Sequence, residues 1–242
     1  PRSTLFPYTT LFRSNLLRAI SHDLRTPLTS ISGNAGVLME KSILLDESKK
    51  QEIYSSIYDD SMWLVNLTEN LLSITRIENG TMHLQMNAEL IDDVFREAIS
   101  HVDRKAAEHE ISVELADDLL MAKMDVRLIV QVIINIVNDA IKYTPEGSHI
   151  CLSAKKEKKM VRIRIADDGP GISDEAKLHL FDMFYTAGIG KADSRRGLGL
   201  GLSLCKSIVD AHGGEISVSD NKPHGAVFSF TLPLEEVKFD HV

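Results

Sequence analysis

The chain has 242 residues, with 27 Lys or Arg against 35 Asp or Glu and a formal net charge of −8, which allows two modest domains and argues against a general nucleic-acid-binding surface. No apolar run approaches the length of a membrane span, and no signal-peptide pattern opens the chain. Cys151 and Cys205 are far apart, lack metal-ligand spacing and lie in apolar patterns, which reads as buried reduced thiols in a cytoplasmic setting.

Residues 1–14 repeat themselves: Thr4-Leu5-Phe6 returns as Thr10-Leu11-Phe12, and Arg2-Ser3 as Arg13-Ser14. With no initiator Met, this stretch reads as a non-native scar, and the chain as a fragment that starts upstream of its first native helix. That helix is predicted from about Ser14 to Lys41, with a seam of Leu17, Ile20, Leu24, Leu28, Ile31, Ala35 and Leu38. His22 falls off the seam and faces solvent, with Asp23 beside it and Thr26 one turn on. An exposed imidazole next to a carboxylate suits a nucleophile with an orienting base, although a lone pair of this kind is most often an ordinary polar surface. Pro27 removes a helix hydrogen bond to the Asp23 carbonyl and predicts a bend beside His22. A second helix is predicted over roughly Glu47 to Glu78, with a near-heptad seam of Ile53, Ile57, Leu64, Leu67, Leu71 and Ile74. Two long helices joined by a short turn make an antiparallel hairpin. Pairing of two such hairpins into a four-helix bundle would bury both seams, so a homodimer is expected.

Asn79-Gly80 ends the second helix, and the pattern changes. A strand is predicted near His83–Met86, a helix near Ile91–Glu108, strands near Ile111–Leu115 and Leu120–Met124, and a helix over Val126–Lys142. Strands near His149–Lys155 and Met160–Ala166 follow, then a glycine-bearing irregular stretch and a helix near Leu200–Ala211 stopped by Gly213-Gly214. The last strands are Glu215–Ser219 and Ala226–Leu232. The fold class is therefore α+β: a helical hairpin followed by a sandwich of sheet and helices. The boundaries are 1–14 scar, 15–80 hairpin, 81–235 second domain and 236–242 tail.

Three stretches carry candidate chemistry. On the helix from Val126, the residues Asn135, Asp139 and Lys142 share a face away from the apolar stripe, and could hold a hydrated Mg²⁺ and a phosphate. Taken alone, such a set is more often ordinary polar pairing on a helix face. Asp167-Asp168-Gly169-Pro170-Gly171 ends an alternating strand, where a carboxylate can accept from the exocyclic amine of a base and glycines allow a flat ring to approach. The same residues also make a simple turn. Gly197-Leu198-Gly199-Leu200-Gly201-Leu202 opens a helix and exposes amide N–H groups suited to phosphate. The polar segment from Thr186 to Arg196 reads as a lid whose Lys191, Arg195 and Arg196 contact phosphates, or as a solvated loop. Phe181, Phe184 and Tyr185 are expected to anchor its base.

In this order, His22 to Leu28, Asn135 to Tyr143, Asp167 to Gly171, Phe181 to Tyr185 and Gly197 to Gly201 together resemble the sequence boxes of sensor histidine kinases. The segment from Asp220 to Phe228 adds a likeness to the potassium-responsive KdpD-type members. The resemblance implies a dimerisation and phospho-acceptor hairpin followed by a Bergerat-type ATP-binding sandwich. On it His22 takes the γ-phosphoryl group, Asp23 orients the ring and acts as base, and Thr26 positions water for dephosphorylation of a partner. Asp167 reads the adenine amine. Asn135 and Asp139 hold Mg²⁺, while Lys142, Tyr143, Gly169, Gly171, Lys191, Arg195, Arg196, Gly197, Gly199, Gly201 and Leu202 contact ATP. The implied partner is a response-regulator receiver domain, with no nucleic acid and no membrane contact in this fragment. The parent would be anchored in the bacterial inner membrane with this part in the cytoplasm.

One position departs from the family pattern: Asp139-Ala140 stands where asparagine followed by alanine is usual, with Asn138 one place earlier. A one-residue slip turns a side chain about 100° around the helix, so Asn138 does not substitute. A carboxylate still suits Mg²⁺ but adds charge near a polyphosphate, predicting weakened nucleotide binding. Two alternatives stand beside the kinase: an ATPase related to gyrase, Hsp90 or MutL, against which the His22 hairpin argues, and a response-regulator-binding scaffold that does not turn over ATP, which Asp139 favours.

Overall fold

A computed structural model describes residues 24–40, 45–78, 84–102, 104–117, 119–186 and 199–236. The chain divides near Leu72 into two compact units.

The first unit holds helix α1, described over 24–40, and most of helix α2, Glu47–Glu78. Asp46 starts α2 by accepting the Lys49 N–H on Oδ1 at 2.7 Å, as an N-cap should. Asn34 on α1 donates through Nδ2 to Ser56 Oγ on α2 at 3.1 Å, which ties the two helices together. Leu67 is buried, and Leu24, Ile31, Ala35 and Leu38 are partly covered, as the seam requires. Leu28 is a correction: it is 54% exposed, and Pro27 is buried instead. The covered face in a single hairpin is displaced by one residue at this turn. Val37, Met39, Tyr54, Tyr58, Met62, Val65 and Leu72 are also exposed, a large apolar surface for two helices.

The second unit is a mixed sheet with helices packed against it. Its strands are β1 (Asn87–Leu90), β2 (Glu110–Leu115), β3 (Met121–Met124), β4 (His149–Glu157), β5 (Met160–Asp167), β6 (Ile216–Asp220) and β7 (Ala226–Glu235). Their order is β1-β3-β7-β5-β4-β2, with β6 also paired to β7. Among the described residues only β2 and β4 run parallel; the other pairs are antiparallel. Alternation places Ile150 and Leu152 of β4, Val161, Ile163 and Ile165 of β5, and Phe228, Phe230 and Leu232 of β7 in the core. The helices are α3 (Ile91–Ser100), α4 (Val126–Tyr143), α5 (Asp174–His179) and α6 (Gly201–Ala211). The apolar stripe of α4, including Ile129, Val132, Ile133, Ile136 and Val137, is fully buried.

Three expectations change. The strand expected near His83–Met86 lies instead at Asn87–Leu90, because it pairs as a four-residue edge with Met121–Met124. The helix expected to reach Glu108 stops at Ser100, where the His101 N–H turns back to the Ala98 carbonyl, and a short 3-10 segment, Arg104–Glu108, leads into β2. Helix α5 was not expected, although its signals are local: Ser173 Oγ caps the Ala176 N–H at 3.2 Å, and Asp174 and Glu175 occupy the first turn.

Candidate nucleotide site

The site is built on α4, whose helical period buries one face and leaves Asn135, Asn138 and Asp139 half-buried and Lys142 exposed. Asn135 donates through Nδ2 to Cys205 Sγ on α6 at 3.8 Å, and Cys205 donates in turn to the Val132 carbonyl at 3.7 Å. A side chain on Gly201 would come within 4.0 Å of Asn135 Cγ, so the start of α6 lies against this amide. The α6 N-cap, Leu200, provides no side-chain cap, leaving the first-turn N–H groups without one. Burial pushes the Asp139 carboxyl up to about 6, against the opposing pull of Lys142. Lys142 Nζ lies 4.8 Å from the centre of the Tyr143 ring, a cation–π contact on an exposed edge.

Asp167 ends β5 and is 7% exposed. Its Oδ1 accepts the N–H groups of Gly169 at 2.9 Å and Ala226 at 3.2 Å. Its Oδ2 takes no hydrogen bond among the described residues, yet it is not sealed in the core. Gly169 is required here: a Cβ would run into the methyl group of Thr144. That contact sets the Asp167 loop against the C-terminal end of α4, beside Tyr143. Thr144 is held by donating to the Ala140 carbonyl at 2.8 Å, and its oxygen accepts from His109 Nε2 at 3.1 Å.

The aromatic segment behaves as an anchor. Phe181 packs edge-on to Phe228, with ring centres 6.5 Å apart. Phe184 has φ +67° and donates its N–H to the Gly199 carbonyl at 3.1 Å. Gly199 itself has φ +62° and passes so close to the Tyr185 carbonyl that no side chain fits. Phe184 and Tyr185 are therefore held against Gly199.

Asn135 and Gly201 are thus brought together, as are Thr144, Asp167 and Gly169, while Tyr143 is exposed next to Thr144 in the chain. Gly171 follows with φ +78°, Leu202 is half-buried in the first turn of α6, and Thr26 is exposed on α1 in the other unit. His22, Asp23, Lys191, Arg195, Arg196 and Gly197 lie outside the described residues. Sequence reading passed over Thr144, Cys205, Asn221 and Gly225 as site residues; their contribution lies in whom they touch. Among the described residues no group of three or more His, Cys, Asp or Glu is placed to hold a metal. One amide and one carboxylate on α4 fit Mg²⁺ only in company with phosphate oxygens and water. No helix among the described residues is long and apolar enough to cross a membrane.

Comparison with known proteins agrees with this geometry. Residues 12–80 match the His Kinase A (phospho-acceptor) domain. Residues 124–236 match the histidine kinase-, DNA gyrase B- and HSP90-like ATPase. Sensor protein KdpD of Clostridium acetobutylicum is 45% identical over 92% of the chain, which corresponds to 25% of that protein. The chain thus spans about a quarter of the length of that protein and of the KdpD of Escherichia coli. The catalytic domain of histidine kinase ThkA is 30% identical, with a TM-score of 0.55 over 62% of this chain and 95% of that one. ThkA in complex with response regulator protein TrrA matches at 25% identity and a TM-score of 0.66, over 96% of this chain and 67% of that one. With a phospho-acceptor hairpin followed by an ATPase sandwich, the chain belongs to the sensor histidine kinases.

Proposed function

We propose that the chain is the catalytic core of a two-component sensor kinase that phosphorylates its own His22 from Mg·ATP and passes the group to an aspartate of a response regulator. The observation that carries the nucleotide part is Asp167: one carboxylate oxygen is fixed by two backbone N–H groups, and the other is left for a donor such as the adenine amine. In this reading Tyr143, Gly169 and Gly171 flank the base. Gly197, Gly199, Gly201 and Leu202, with Lys142, Lys191, Arg195 and Arg196, receive the phosphates. Mg²⁺ held by Asn135, Asp139 and phosphate oxygens would neutralise polyphosphate charge. An imidazole nitrogen of His22 attacks the γ-phosphorus, the bond to the bridging oxygen breaks, ADP leaves, and Asp23 takes the ring proton. Positioning and charge neutralisation do most of the work in such transfers.

Residues 15–80 act as the dimerisation and phosphotransfer unit, 81–235 as the ATP-binding unit and 236–242 as a tail, with 1–14 non-native. The exposed apolar side chains of α1 and α2 support a homodimer through the hairpin. The ThkA–TrrA complex supports a receiver-domain partner. The likeness to KdpD supports a parent that responds to potassium and is anchored in the bacterial inner membrane, with this part in the cytoplasm. Thr26, exposed on α1, is read as the residue that positions water for a phosphatase step on the regulator.

Incubation with γ-labelled ATP and Mg²⁺ tests the proposal. Acid-labile, alkali-stable label that disappears in His22→Gln is the expected result. A chain that hydrolyses ATP with no label on His22 would be an ATPase of the gyrase and Hsp90 kind instead. Asp139 supports one further reading, a scaffold that binds the regulator without turning over ATP; absence of Mg·ATP binding would favour it.

A further inference from the structure

We infer that Asn221 and His224, in the turn between β6 and β7, are positioning residues for recognition of the adenine amine. The inference rests on the reading of Asp167 as the group that accepts from that amine.

The β5–β7 ladder ends at Ala166 and Val227, so the backbone beyond it is not fixed on that side by sheet pairing. The turn takes over. Asn221 donates through Nδ2 to the Asp167 carbonyl at 2.8 Å. His224 donates through Nδ1 to the Gly169 carbonyl at 3.2 Å; a carbonyl only accepts, so the ring carries its proton on Nδ1. Gly225, at φ +110°, is packed so closely on the Asp167 carbonyl that no side chain fits. Ala226 adds the N–H that holds Asp167 Oδ1. The turn is closed on itself by the Asn221 N–H donating to the Gly225 carbonyl at 2.9 Å. Residues 221 to 226 therefore grip Asp167 and Gly169 at the backbone and at the carboxylate. Neither Asn221 nor His224 needs to touch nucleotide: each holds the loop that sets where Asp167 Oδ2 points. A hydrogen bond is steeply angle-dependent, so loosening the grip should weaken the amine contact while leaving phosphate contacts alone.

The discriminating measurement is calorimetric binding of ATP and of purine riboside 5′-triphosphate, which lacks the exocyclic amine, to the full 242-residue chain. The native chain should prefer ATP by about tenfold or more, the scale of a hydrogen bond to a charged acceptor. Asn221→Leu and His224→Leu should each cut that preference by about fivefold, with affinity for the purine analogue changed less than about twofold. His224→Asn should retain the preference, because its Nδ2 stands where the imidazole Nδ1 stood. If Asn221→Leu does not fold, Asn221→Ser, which lacks the reach, replaces it. Equal losses for both nucleotides, or a lowered melting temperature with the preference intact, would reduce the turn to a structural brace and overturn the inference. Asp167→Ala is the separate control. If it keeps the preference for ATP, the adenine reading itself fails; if it abolishes the preference while the turn variants do not, only the positioning inference fails.

Discussion

Cys205 Sγ on α6 lies 3.8 Å from Asn135 Nδ2 on α4, so the amide of a candidate Mg²⁺ ligand is braced by a thiol in the core. Burial pushes the Cys205 thiol far up, and it stays protonated at any ordinary pH. Cys151, on β4, is only half-buried. A thiol reagent at pH 8 should therefore label Cys151 first and reach Cys205 only as the unit opens. Peptide mapping of a labelling time course checks this, and equal rates would contradict the close packing of α4 on α6.

Asp139 carries a stability cost that depends on pH. Its carboxyl, ordinarily at 3.8, is raised to about 6 by burial. The folded chain then binds more protons than the unfolded chain between those values, so stability falls as pH rises through the window. Asp139→Asn, studied without nucleotide and with chelator, should gain up to about 3 kcal/mol at pH 7 to 8 and nothing below about pH 4. It should also bind Mg·ATP more tightly. Denaturation at several pH values and a binding titration test both; a gain that persists at pH 4 would place the effect elsewhere than in the charge.

His212 gives the opposite slope. It is 3% exposed, donates through Nδ1 to the Ile208 carbonyl at 2.7 Å and accepts the Asp125 N–H on Nε2 at 3.0 Å. Burial holds its pKa below the usual 6.5. The folded chain binds fewer protons, so this stability is complete above 6.5 and is lost as pH falls from 6.5 through the depressed value. His212→Leu should lower the denaturation midpoint at neutral pH and flatten its decline between pH 7 and 5. An unchanged acid slope would assign the decline to other groups.

Gly169 and Thr144 offer a rescue experiment. Gly169→Ala drives a methyl group into the Thr144 methyl and should displace the Asp167 loop, weakening ATP binding by about tenfold or more. Thr144→Ser removes the obstructing methyl and keeps the hydroxyl that bonds to the Ala140 carbonyl. The double variant should recover much of the affinity. If it binds no better than Gly169→Ala alone, the steric account is wrong.

The α4 face carrying Asn135, Asp139 and Lys142 was legible because a 3.6-residue period separates it from the buried stripe. So were Asp167 at the end of an alternating strand and Gly199, whose φ of +62° and close neighbour need glycine. Strand β1 was not, since four half-exposed or exposed residues at an edge show no alternation. Helix α5 has six residues, too few to show a period. The clasp on Asp167 was invisible for a different reason. Asn221 and His224 lie some fifty residues away and act through ordinary amide and imidazole donors. Nothing in their spacing announces a contact that the sheet order alone creates.

That sheet order also bears on how the second unit is made. β7 lies between β3 and β5 and also carries β6, so the last strand among the described residues is the middle of the sheet. During synthesis, β1 to β5 emerge with their central partner missing, and the clasp residues cannot engage until Ala226 has arrived. Such long-range closure is slow and leaves strand edges open meanwhile. A ribosome stalled before residue 226 should present an unfolded second unit with no affinity for nucleotide, and release through Glu235 should bring its folding and the binding site into being together.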